Sequence, residues 1–464
     1  MKMKLRSKSV VLSLLMFILA MCSASTVVFA ADPSYTVKTG TVSDSTAENG
    51  KRSLARTSDG TLHCVYHRSN GTTQLVYYAY SKDQGATWTE EQVSYPPSKT
   101  NTQFFPSIAV DSKGNVHVVW NGFGWGTNTG KNNIEYRMRT SSGWQTQEAV
   151  TDKTDSQVHP SIAVDSQDNV HVVWYGTRWG TNPLTANIEY RMRTSSGWQP
   201  PESVTDIAAI QKLLSIAIDS KDNVHVVWHG LGWGTNTGFN NIEYRMRTSS
   251  GWQPQEAVTD KNRNQFSPSV AVDSEDNVHV VWYGLGWGTN TGNYNIEYRM
   301  RTSSGWQAQE AVTDKNYDQV APSVAVDSED NVHVVWYGFG WGTNTFSFNI
   351  EYRMRTSSGW QPEVALTDLA FLQEYPVLIW AEWPDPPNVP QTGYALVYSG
   401  QDANGDKVVY LASSDLTWGV EPQLAVGGTV EPASITTILV SYLPIAVLVT
   451  AVAAAYASRR RTRK

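Results

Sequence analysis

The sequence predicts an all-β chain closed into a ring, a seven-bladed β-propeller with six blades as the alternative count. Three observations predict it. One segment returns every 54 residues, each copy alternates apolar and polar residues with a period of two, and no helical pattern interrupts the copies. A period of this length is one supersecondary unit, stacked so that each copy covers its neighbour's apolar face. The fullest copies start near residues 106, 160, 214, 268 and 322, and Asp111 and His117 recur in step as Asp165, Asp219, Asp273, Asp327 and His171, His225, His279, His333.

Within a copy four strands are expected. Ser107–Asp111 is a short β-branched run, and Asp111-Ser112-Lys113-Gly114-Asn115 is rich in turn formers. Val116–Trp120 follows, then Ile134–Thr140, which alternates Ile134, Tyr136 and Met138 against Glu135, Arg137 and Arg139. Ser141-Ser142-Gly143 reverses the chain before Trp144, and Glu148-Ala149-Val150 forms a fourth strand. A divergent copy precedes the five, from Arg52 to about Ser94, and another follows from Tyr375 to Trp418. Tyr35–Thr39 is placed to add a strand to the last blade and remove the exposed edge.

The ends carry different signals. Lys2, Lys4, Arg6 and Lys8, an apolar stretch from Val10 to Met21, and Val28-Phe29-Ala30 make residues 1–30 a secretory signal peptide. Residues 435–457 are apolar and uncharged, long enough to cross a bilayer core of roughly 30 Å. Arg459, Arg460, Arg461, Arg463 and Lys464 follow, so 458–464 reads as a basic cytoplasmic tail and 31–430 as the external propeller. The expected placement is the cell membrane, single-pass, as a monomeric ring facing outward.

Four of the 36 basic residues lie in the leader and five in the tail, which leaves 27 against 43 acidic residues. Such a surface disfavours nucleic acid and anionic lipid as partners. Cys64 is the one cysteine beyond the leader, so no intrachain disulfide is available. Asn70-Gly71-Thr72 is an N-glycosylation sequon. The repeated histidines sit among valines and read as packed, hydrogen-bonded side chains; neither metal nor cofactor is expected. Gln103, Gln157, Gln211, Gln265, Gln319 and Gln373, one per inter-blade connection, read as partners for crossover backbone.

The candidate ligand site is the long connection between second and third strands, Asn121-Gly122-Phe123-Gly124-Trp125-Gly126-Thr127-Asn128 through Asn133. Thirteen residues exceed an ordinary hairpin loop. The loop repeats the pairs Trp125 and Asn128, Trp179 and Asn182, Trp233 and Asn236, Trp287 and Asn290, Trp341 and Asn344, with Arg178 replacing a glycine in one copy. An aromatic face flanked by hydroxyl and amide groups suits carbohydrate, so the expected partner is a glycan or glycoprotein on the outer side. The competing reading is that each Trp packs on the next loop as a spacer.

Ser81-Lys82-Asp83-Gln84-Gly85-Ala86-Thr87-Trp88 resembles the Asp-box, Ser-x-Asp-x-Gly-x-x-Trp, of sialidase-like (BNR-repeat) propellers, and Thr140-Ser141-Ser142-Gly143-Trp144 and its copies are shortened versions. The resemblance spans most of residues 50–425 and implies the fold, since the box is a structural turn away from the ligand face. Sialidases of this family use an arginine triad, a Tyr with a Glu partner and an aspartic acid, gathered once near the axis. Here Glu135-Tyr136-Arg137 recurs in every full copy and the Arg-Ile-Pro segment is absent. No catalytic residue is therefore assigned, and Glu135 is expected to pair with Arg137 or Arg139. Sialidase-type hydrolysis and a structural or protein-binding role are the alternatives to glycan recognition.

Overall fold

The computed structural model describes residues 35–39, 46, 52–96, 101–177, 180–383, 391–401 and 407–413. All lie in one compact unit, Met1–Glu421. The leader, the run 435–457, the basic tail, Trp179 and Trp418 lie outside the described residues. No helix among the described residues is long and apolar enough to cross a membrane.

Seven antiparallel sheets follow one another along the chain, which selects seven blades over six. The second blade is typical: Gln103–Val110, Val116–Gly122, Asn133–Thr140, then the two-residue strands Gly143–Trp144 and Glu148–Ala149 against the third. The first strands of all seven blades line a common axial cavity of about 430 Å³, so they are the inner strands. The last blade consists of Gln373–Trp383, Gln391–Gln401 and Lys407–Ser413, and Tyr35–Thr39 pairs with Lys407–Ser413 as its outer strand. That pairing joins the two ends of the ring, as the placement of Tyr35–Thr39 implied.

In blades two to seven the inner strand starts four residues before the position of Ser107, where alternation first marks it. The cause is a break in register between Phe104 and Ser107 and its copies. A bulge spoils period-two patterning, so the first half of the strand is invisible to an alternation test.

Packing between blades makes the core. Val119, Ile134, Tyr136 and Val150 of the second blade meet Ile162, Val170, Val172 and Trp174 of the third. Equivalent clusters fill all seven interfaces. Trp120, Trp174, Trp228, Trp282 and Trp336 are fully buried. Trp228 Nε1 donates to Gln211 Oε1 at 2.7 Å, and Gln211 Nε2 donates to the Leu231 carbonyl at 2.8 Å. The repeated glutamine thus satisfies both a core indole and the start of the long loop. Gly230 must be glycine because a Cβ there would enter the Gln211 amide.

The charged side chains of the third strand reach backward. Arg139 Nε and Nη2 donate to Glu91 of the preceding blade at 2.9 and 2.8 Å, and Arg193–Glu148, Arg247–Glu202, Arg301–Glu256 and Arg355–Glu310 repeat the bond. Arginine therefore pairs between blades with the outer-strand glutamate and not with Glu135, which is buried. The histidines are held at both nitrogens: His225 Nδ1 lies 2.8 Å from Tyr244 Oη and Nε2 3.1 Å from Asp219 Oδ2. Ser81–Trp88 forms the turn after the third strand of the first blade, with Asp83 accepting from Ser81 and Thr87.

Replacing Trp228 with Phe keeps an aromatic ring but removes the fused second ring of the indole from a fully buried site and leaves Gln211 Oε1 without its donor. The expected cost is about 1–3 kcal/mol, read as a lower urea midpoint, with Trp282→Phe behaving alike.

Candidate functional site

The long loops and the inter-blade connections share one face of the ring. Asp260, in the connection after the fourth blade, binds the loop within that blade: its carboxylate accepts from Thr235 N and Oγ1 at 2.9 and 2.7 Å and from Asn236 N and Nδ2 at 2.9 and 3.0 Å. The same cage surrounds Asp152, Asp206, Asp314 and Asp368. The Thr235 hydroxyl and backbone N–H, with the Asn236 donors, hold the Asp260 carboxyl at about 2, well below the usual carboxylate range. Gly234 has a positive φ and would drive a Cβ into Asp260, so the glycine between Trp233 and Thr235 is a packing requirement.

The predicted site residues divide accordingly. Asn128, Asn182, Asn236, Asn290 and Asn344 each direct the side-chain amide at the caging aspartate, and this hydrogen bond fixes the loop. The tryptophans lie at the surface: Trp233 is 38% and Trp287 36% exposed, while Trp125 and Trp341 are half-buried. Lys261 Nζ stands 4.7 Å from the Trp287 ring centroid and Lys315 Nζ 4.2 Å from that of Trp341. One face of each of these two rings is thus turned to a lysine. Trp233 has Ile207 at the corresponding position.

Beneath the loops lies a circle of five buried glutamates, Glu135, Glu189, Glu243, Glu297 and Glu351. Lys261 bonds Glu297 and Lys315 bonds Glu351, both at 2.6 Å. With Ile207 in the lysine position, Glu243 is bonded by Gln255 and lies beside Trp228. Burial pushes the carboxyls of Glu135 and Glu243 up to about 8 and those of Glu189 and Glu351 to about 7.

At the axis the same face carries side chains that period-two reading did not find. The third residue of the inner strand has a positive φ in six blades: Phe105 (50°), His159 (52°), Leu213 (42°), Ser267 (45°), Ala321 (49°) and Tyr375 (56°). Non-glycine residues rarely adopt this conformation, and its recurrence shows a backbone held by its surroundings. The His159 N–H is capped by Asn121 Oδ1 at 3.0 Å and the Ser267 N–H by His229 Nδ1 at 3.3 Å, each from the preceding blade. Rings bridge the blades here: Phe105 stacks on His159 at 4.2 Å and His159 on Tyr175 at 5.2 Å, while His67 meets Phe105 edge-on. The readable signal was the departure of these positions from the repeat.

The axial cavity is lined by inner-strand residues such as Ala109, Ala163 and Ala217, with Arg52 and Arg56; among the described residues no carboxylate lines it. Arg52 spans it to the Ile216 carbonyl through Nε and Nη2. Glu374 stands on the inner strand of the last blade, beside Tyr375. Among the described residues no group of three His, Cys, Asp or Glu side chains is arranged to hold a metal.

No family model matches the chain, and no curated protein matches it. Solved structures do. A polysaccharide lyase of family PL25, an ulvan lyase bound to a glucuronate–sulfated rhamnose unit, superposes with a TM-score of 0.54 at 12% identity, over 82% of this chain and 97% of the lyase. The Penicillium chrysogenum α-L-arabinanase with arabinobiose gives 0.46 at 10% identity over 83% and 98%, and the Streptococcus pneumoniae NanB sialidase 0.43 at 11% over 83% and 71%. The lyase likeness is one of fold: this chain has the seven-bladed architecture found in a carbohydrate-active enzyme.

The buried glutamates generate a pH signature. A carboxyl whose folded value exceeds its ordinary 4.5 contributes stability that is complete below 4.5 and is lost as pH rises through the folded value, because the unfolded chain releases the proton first. Glu243→Gln cannot ionise. Its melting temperature relative to the native chain is expected to rise between pH 5 and pH 9, with most of the change below about 8; a constant difference would contradict the burial of Glu243 as an acid.

Proposed function

We propose that the chain is a surface-displayed carbohydrate-recognition propeller whose loop-bearing face meets a glycan or glycoprotein. The observation that carries this reading is the row of surface tryptophans on loops braced by caged aspartates. Trp233 and Trp287 are each more than a third exposed, and the neighbouring Thr and Asn donors hold the backbone still. A preorganised aromatic face loses little conformational entropy on contact with sugar C–H surfaces. Several weak copies on one rigid ring gain about 10²–10⁴ in avidity where the target spans them. The carbohydrate ligand of the lyase of similar fold agrees with this class of ligand.

Surface display is part of the proposal and rests on the leader 1–30 and the uncharged run 435–457 before a basic tail. The Asp-box reading of Ser81–Trp88 belongs here too: its turn is closed by the serine and aspartate that the sialidase-like resemblance singles out.

A glycan array probed with the full-length chain tests the function. Selective retention is expected for the native chain and at least tenfold weaker retention for Trp233→Ala/Trp287→Ala/Trp341→Ala, about 1.4 kcal/mol or more. Unchanged retention in the triple variant removes the tryptophan loops from the reading, and a blank array with folded protein removes carbohydrate.

A further inference from the structure

Every large apolar side chain that is exposed among the described residues stands on the loop-bearing face. Leu184, Trp233, Phe239, Trp287 and Phe346 belong to the long loops, and the rest, such as Tyr317, to the connections between blades. The turns of the opposite face, Asp111–Asn115 and Ser141-Ser142 with their copies, expose polar residues instead. Scattered apolar side chains are ordinary on a protein surface, but their confinement to one face is not.

The loops are also set apart by charge. Residues 123–132 and the four copies contain no aspartate or glutamate, in a chain where acidic residues outnumber basic ones by 43 to 36. Their only charged residues are Lys131 and Arg178. A rim that is neutral or basic on an otherwise acidic chain suits a surface that carries phosphate.

The most exposed of these side chains are at loop tips. Leu184 is 84% and Phe346 85% exposed, each two residues after the loop asparagine, and Phe239 stands one place further along its own loop. The tips are turns: the carbonyls of Asn182, Asn236 and Asn344 accept from the N–H groups of Thr185, Phe239 and Ser347 at 3.2, 3.1 and 3.0 Å. The caged Asp206, Asp260 and Asp368 brace the base of each. Leu184 is on the third blade, Phe239 on the fourth and Phe346 on the sixth, so the tips are spread around the ring and do not form one patch. A protein partner packs against a contiguous apolar centre with matching pockets. A bilayer accepts each separate tip without a pocket, and its headgroup zone favours tryptophan and tyrosine beside them. The strand Lys407–Ser413 runs away from this face and Tyr35–Thr39 runs toward it, so the chain enters and leaves the described ring at the opposite face.

We infer that the loop-bearing face docks on a phospholipid bilayer, with Leu184, Phe239 and Phe346 entering the acyl boundary and Trp233 and Trp287 at the level of the headgroups. The inference goes beyond the proposed carbohydrate function and stands without it. The acidic excess of the chain disfavours anionic lipid, so the bilayer is one of zwitterionic lipid.

The test holds the full-length chain in nanodiscs on beads and adds fluorescent phosphatidylcholine vesicles free of protein and sugar. Retention above that of empty nanodiscs is expected, with about tenfold less for Leu184→Ser/Phe239→Ser/Phe346→Ser. These side chains are exposed, so the triple variant is expected to keep the native melting temperature. An environment-sensitive dye on Phe346→Cys is expected to shift to the blue on vesicle contact, and the same dye on Ser142→Cys, across the ring, is not. Cys64 is buried and does not compete for the dye. Equal retention of vesicles by the native chain and the triple variant, or an unmoved dye at residue 346, overturns the inference. Retention only where both surfaces bear the chain shows self-association and overturns it as well. Retention only of vesicles that carry glycolipid overturns it and leaves the carbohydrate function standing.

Discussion

A blade of this ring has two apolar faces and can cover neither by itself, and every other feature follows from that constraint. Val119 and Tyr136 need Ile162 and Trp174 of the next blade, and the seventh blade needs the first, through Val397 and Val409 against Cys64 and Tyr66. The structure is stable as a closed circle, which is why Tyr35–Thr39 must return to pair beside Val408–Leu411. An open array would leave one large hydrophobic face and one bare strand edge in water.

Closure by apolar packing leaves polar groups inside, and the repeat satisfies them systematically. The core tryptophan cannot be buried without a partner for its indole, and Gln211 and its copies supply one while also holding a loop carbonyl. Arg247 reaches Glu202 of the preceding blade and sends its sister Arg245 to the Val204 carbonyl. These bonds orient blades that dispersion and hydrophobicity alone would hold without angular preference. Satisfaction is not complete: carboxylate oxygens of the buried glutamates and the indole N–H groups of Trp198, Trp252 and Trp306 have no hydrogen-bond partner among the described residues. Glu243 lacks the lysine that Glu297 has, so its neutral acid form is the one the interior tolerates.

Much of the fold was legible because strands two and three obey a strict alternation with nothing to disturb it. Val116–Trp120 and Ile134–Thr140 were readable to within two residues, and the turn at Asp111–Asn115 to the residue. The inner strand was half-legible: its bulge at Phe105 breaks the period, and a left-handed Phe or His carries no compositional mark. Partner choice was illegible. Arg139 and Glu135 are four residues apart with opposite charges, yet the arginine crosses to Glu91 because the third strand's polar face looks onto the preceding blade. The tryptophan loop was correctly seen as unusual, but Asn128 and its copies were taken for ligand donors when each points into the aspartate cage. The Thr-Asp of the connection recurs 24 residues beyond the loop asparagine, and only the shared face shows why.

Identity and difference therefore carry separate information in a repeated chain. What recurs unchanged is what closure demands: the core tryptophan, the glutamine beneath it, the glycine that makes room for the glutamine, and the arginine that reaches back. The bulge also recurs, although a positive φ at a non-glycine residue costs about 1–3 kcal/mol, and a β-strand has no need of it for packing. Its persistence in six blades with Phe, His, Leu, Ser, Ala and Tyr in turn means that the geometry is retained while the side chain is free. A packing role would select one residue of suitable volume, as it has selected Trp at every core position from Trp120 to Trp336. Strain kept constant around varied side chains marks these positions as fixed by the surrounding backbone and not by one required side-chain volume.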